Sequence, residues 1–130
     1  EDEFFASSGV RSSVEAARNA LSDKIQYLTE FLGGEYEIQG AYPAWEYRKE
    51  SPLRDKMVEV YETMYGQKPE VVAIHAGLEC GLFYKKIDGL DCVSLGPDMK
   101  DIHTSEEVLD IASTERVWKY LVKVLEELKD

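Results

Sequence analysis

The sequence predicts an α/β (α+β) chain in two parts, and three observations carry that prediction. Apolar residues recur at three- and four-residue steps in three long stretches, the spacing of amphipathic helices. Between them lie short runs that either alternate with polar residues or are continuously apolar, the two patterns of β-strands. Near the middle, residues 41–50 (AYPAWEYRKE) break both patterns. Pro43 cannot sit inside a central strand, and the charged residues 46–50 have no periodicity, so this stretch reads as a hinge between two domains.

In order, residues 3–10 (EFFASSGV) read as a strand ending in a Ser/Gly turn. Ser12 followed by Glu15 has the spacing of a capping box, in which each side chain satisfies the other's free backbone N–H. Val14, Ala17, Leu21, Ile25, Leu28 and Leu32 then form one face of a helix, closed by Gly33-Gly34. Tyr36, Ile38 and Tyr42 alternate with Glu35, Glu37 and Gln39, a half-exposed strand. Strand, helix, strand with one open sheet face is half of a split βαβ sandwich. After the hinge, Ser51 caps a helix that Pro52 begins and Gly66 closes, with Leu53, Met57, Val60, Tyr61 and Met64 facing inward. Residues 71–74 (VVAI) form a strand covered on both faces. His75-Ala76-Gly77 turns into a short helix over residues 78–86, and residues 92–95 (CVSL) make a second buried strand. Such a βαβ unit has parallel strands. Ser113 caps the last helix, whose stripe is Val117, Leu121, Val124, Leu125 and Leu128. Two parallel strands and two helices are too few to cover both faces of a sheet, so the second half reads as incomplete by itself.

The chain has 130 residues, enough for one ordinary core. With 44% hydrophobic and 32% charged residues it is globular rather than disordered. A net charge of −11 argues against nucleic acid and against an anionic membrane surface as partners. Cys80 and Cys92 fall in apolar segments, fitting packed thiols in a reducing compartment. There is no apolar run long enough to span a membrane, no signal peptide and no low-complexity tract. The chain begins without Met in a strand-like run, which points to a fragment or a processed piece.

Few residues can carry chemistry. His103 lies in the loop of residues 96–107 (GPDMKDIHTSEE), after a strand, where open α/β sheets place their ligand sites. A neutral imidazole is the commonest metal ligand, and Glu107 four residues on could orient it or bind beside it. The competing reading is a solvated loop histidine with an acidic neighbour. In residues 75–81 (HAGLECG), Gly77 and Leu78 could present backbone amides to a carboxylate or oxyanion at a helix start. The competing reading is a tight strand-to-helix turn, with His75 a turn residue and Glu79 a favourable charge for the helix dipole. Arg11 could grip a carboxylate bidentately or be a solvated charge. Glu106-Glu107 and Glu126-Glu127 resemble paired catalytic carboxylates only superficially. No Ser/His/Asp triad or CxxC knuckle is present.

Residues 75–81 (HAGLECG), 89–96 (GLDCVSLG), the loop 96–107 and the following Ile111-Ala112-Ser113-Thr114-Glu115-Arg116 together resemble the C-terminal end of aminoacyl-histidine dipeptidases. These are the Xaa-His, carnosinase-type enzymes of the co-catalytic zinc peptidase superfamily, which includes carboxypeptidase G and aminoacylase. The similarity runs from about Phe4 onward. It implies that residues 1–45 end a ferredoxin-like lid or dimerisation domain and that 46–130 end the catalytic domain. By position His103 resembles the last zinc ligand, Arg11 a lid arginine gripping the substrate carboxylate, and Ala76, Gly77, Leu78 and Glu79 the substrate-binding loop. The family's His-x-Asp motif, bridging Asp and Glu-Glu pair are absent from this chain. The implied parent is a cytoplasmic dipeptidase that cleaves Xaa-His dipeptides with water activated by zinc. Its implied partners are the peptide, the missing N-terminal part and a second copy. The fragment alone is expected to be inactive and to lose zinc. The alternatives are a stand-alone binding or dimerisation module, or an N-acyl amino acid deacylase.

Overall fold

A computed structural model describes residues 4–74 and 79–129. These residues form α1 (Glu15–Phe31), α2 (Pro52–Tyr65), α3 (Glu79–Lys86), β1 (Met99–Lys100), β2 (Val108–Leu109) and α4 (Ile111–Glu127). The backbone divides into two compact units, Glu1–Lys49 with Val72–Leu90 and Glu50–Val71 with Asp91–Asp130.

The second unit is built on the pair α2 and α4. The start of α2 follows the sequence closely: Ser51 Oγ accepts a hydrogen bond from Arg54 N at 3.1 Å, with Pro52 at the first helical position. Asp91 reinforces this end, accepting from Leu53 N at 2.9 Å and from Ser51 Oγ at 2.6 Å. A carboxylate there also suits the helix dipole. Gly66, at φ 69°, ends the helix in the left-handed conformation that only glycine adopts without cost. Met57 and Val60 from α2 pack with Tyr120 and Val124 from α4, flanked by Leu53, Tyr61, Met64, Tyr65 and Val93. Tyr120 donates its hydroxyl proton to the Met57 carbonyl at 2.8 Å, so its polar end is satisfied inside the core. The Tyr61 ring meets Tyr120 edge-on, centroids 5.3 Å apart, a favoured aromatic geometry. Leu125 and Leu128, expected on the buried stripe, are exposed, and Tyr120 occupies the buried face instead.

In the first unit, α1 ends as the Gly33-Gly34 pair predicts. Gly33 N bonds to Glu30 O at 3.0 Å and Gly34 N to Thr29 O at 2.9 Å, which is the Schellman pattern. Its start differs from the expected capping box. Ser12 Oγ accepts from Val14 N at 3.1 Å, and Glu15 pairs with Arg18 and Lys85 instead of reaching back. No residue of α1 is buried, and its apolar side, including Leu21, Leu28 and Phe31, faces outward. The chain then returns beside α1, through Tyr36 to Ser22 and the Tyr42 carbonyl to Arg18. Pro43, Ala44 and Trp45 press against α3 at the buried Gly81, where a Cβ would lie 2.9 Å from the Pro43 carbonyl oxygen. Glycine is required there by that close approach.

Four expected strands are not formed. The described parts of residues 3–10, and residues 36–42, 71–74 and 92–95, are not in strands, and among the described residues the sheet is the pair β1 and β2. The physical reason is that a strand exists by pairing. An apolar or alternating pattern reports a surface suited to burial, not the presence of the partner that buries it. Val71, Val72 and Ile74, predicted to be covered on both faces, are 46%, 61% and 50% exposed. The whole chain exposes 10858 Å². Even two separate folded bodies, each half of its 14.8 kDa, would expose only about 8,400 Å². Among the described residues, large apolar side chains such as Phe31, Leu32 and Ile111 are exposed.

Candidate functional site

His103 sits at the tip of a hairpin. β1 and β2 pair antiparallel, Met99 opposite Leu109 and Lys100 opposite Val108, and residues 101–107 make the loop. The sequence placed this loop after a parallel strand. The correction follows from the short local pairing, which closes across the loop itself. The base of the hairpin is fastened to α4. Asp110 N donates to Asp98 O at 2.9 Å, and Asp98 N donates to Ser113 Oγ at 2.8 Å. Arg116 and the Asp98 carboxylate pair at 3.3 Å. The cap of α4 is Asp110, whose Oδ1 accepts from Ser113 N at 2.6 Å, so the helix begins before the expected Ser113 cap. Asp is as good a cap as Ser, and Asp110 directly before Ile111 was the available signal. Ser113, 2% exposed, serves inside the first turn as the joint between hairpin and helix.

Within the loop, Asp101 has φ 51° and His103 φ 66°, both in the left-handed region that non-glycine residues seldom occupy. Thr104 organises the turn. Its hydroxyl donates to Asp101 O at 2.7 Å and accepts from Glu106 N at 3.2 Å. Glu107 Oε2 accepts from the His103 backbone N–H at 2.7 Å. Sequence spacing points Glu107 at the imidazole, to orient it or bind beside it; in the structure its contact is with the main chain of the same residue.

The other candidates fall elsewhere. Arg11 is exposed and belongs to the first unit, as does Glu79, which opens α3 and is also exposed. Ala76, Gly77 and Leu78, together with His75, lie outside the described residues. Cys80 and Cys92 form no disulfide and are half-buried rather than fully packed. Among the described residues no group of three or more His, Cys, Asp or Glu side chains converges as metal ligands. A stable metal centre needs such convergence. The described residues therefore do not fit a complete zinc site, and His103 offers at most one ligand. No described helix is long and apolar enough to cross a membrane.

Over part of their length, two dipeptidases are similar to the chain, which is a partial homologue of them. It is 33% identical over 119 residues to the cytosol non-specific dipeptidase of Escherichia coli (strain K12), a match covering 92% of this chain and 24% of that protein. It superposes on the crystal structure of aminoacylhistidine dipeptidase from Vibrio alginolyticus with a TM-score of 0.72 and 34% identity, again over 92% of this chain and 24% of the other. The chain thus spans about a quarter of the length of the relatives it matches. No protein-family model matches it.

Proposed function

We propose that the chain acts as one part of a Xaa-His dipeptidase whose site is completed by residues outside it. The observation that carries this is the homology over 92% of the chain to two dipeptidases of which it spans 24%. On this reading residues 1–45 belong to a lid or dimerisation domain and residues 46–130 to the catalytic α/β domain. His103 supplies one zinc ligand. Arg11 and the turn of Ala76, Gly77, Leu78 and Glu79 hold the peptide substrate. The remaining metal ligands and the general base come from outside the chain, and no catalytic step is assigned to the described residues. The relative's description as a cytosol enzyme supports a cytoplasmic location. A second reading, a binding or dimerisation module, is favoured by the outward apolar side of α1. The test is elemental analysis of the purified chain after dialysis, with an assay on a Xaa-His dipeptide. The expected outcome is substoichiometric zinc and no turnover. Stoichiometric zinc or measurable hydrolysis contradicts the proposal.

A further inference from the structure

We infer that Glu107 is a positioning residue that holds the His103 backbone in its left-handed conformation, and through it sets where the imidazole is presented. The inference rests on the reading of His103 as a site residue. Two independent features meet at this position. An L-residue at φ 66° is disfavoured by contact between its Cβ and the following carbonyl, so it relaxes to negative φ unless something outside the residue holds it. The Glu107 carboxylate accepts the His103 N–H at 2.7 Å, a charge-assisted bond that closes residues 103–107 into a ring. Thr104 shapes the approach to the loop through Asp101 and Glu106, but the described hydrogen bond to the His103 amide itself is the one from Glu107. Rotating φ from the left-handed to the right-handed region swings the Cα–Cβ bond to another direction, so whatever fixes φ also fixes the imidazole's reach.

The test is amide hydrogen exchange and the HN–Hα coupling of residue 103, read by NMR on the full chain with Glu107 and with Glu107→Ala and Glu107→Gln. Glu107→Ala is expected to speed exchange of the His103 amide about tenfold, the scale of one lost hydrogen bond to a charged group, and to move its coupling away from the left-handed value. Glu107→Gln keeps an acceptor oxygen and should restore most of both. Melting temperature should be the same in all three, because the loop is exposed and lies outside the core. Unchanged exchange and coupling in Glu107→Ala overturn the inference, as does an equal loss in Glu107→Gln. The reading of His103 as a site residue fails separately: unchanged turnover on His103→Ala, in a dipeptidase carrying this chain, would undo that reading and leave the exchange result untouched.

Discussion

Helices α1 and α4 are each 17 residues long and both amphipathic by sequence, yet they are held very differently. In α4, Tyr120 and Val124 are buried against α2, and Asp110 and Ser113 lock the N-terminus to the hairpin. In α1 no residue is buried, and the helix is held by its glycine cap and a few polar contacts. The same periodicity therefore has two outcomes, and the difference is whether a partner element is supplied. Helical stability in proteins comes mainly from packing an apolar face, so α1 should be the weaker of the two.

The largest effect should come from breaking the packed pair. Met57→Ala, at 6% exposure, is expected to cost about 3 kcal/mol in urea unfolding. Leu28→Ala on the outward side of α1 should change stability by no more than about 0.5 kcal/mol. Equal losses would erase the contrast. A smaller effect is expected at the α2 cap, where Ser51→Ala should cost about 1 kcal/mol.

Tyr120→Phe removes the bond to the Met57 carbonyl and should also cost about 1 kcal/mol. It should change the alkaline behaviour too. Burial, then Tyr61 and Tyr65, raises the Tyr120 pKa above the ordinary 10.0. The unfolded chain thus ionises first. Stability is fully present below pH 10.0 and is lost as pH rises through the native value. Tyr120→Phe should flatten that part of the pH profile, measured by thermal melts at successive pH values.

The smallest effect belongs to the exposed ion pairs of α4. The hydrogen bond from Lys123, at 2.7 Å, lowers the Glu127 pKa, so any contribution exists above the ordinary 4.5 and fades as pH falls through the native value. Glu127→Gln should leave the melting temperature unchanged at physiological salt.

The same contrast explains what was legible in the sequence. Some signals that act within a few residues match the structure, Ser51, Pro52 and Gly66 bounding α2 and Gly33-Gly34 closing α1, whereas the Ser12–Glu15 box and the Ser113 cap do not. The patterns over residues 3–10, 36–42, 71–74 and 92–95 describe surfaces suited to burial, whereas a strand also requires a ladder, which a single stretch of sequence does not specify. The two-residue strands of the hairpin are too short to carry any period, so the loop after residue 96 was legible only as a loop. His103 was singled out by residue type and place. Its left-handed backbone and the Glu107 contact that holds it could not be read from spacing, because spacing does not tell a contact to the imidazole from one to the main chain.

On the proposed reading, His103 belongs to a dipeptidase site completed by residues outside the chain. This is tested most directly in a chimera in which this chain replaces the matched segment of the E. coli relative, assayed for hydrolysis of a Xaa-His dipeptide with His103 and with His103→Ala. Turnover is expected from the first, and a loss of at least about a hundredfold in the second, at equal solubility and melting temperature. Unchanged turnover in His103→Ala would contradict it.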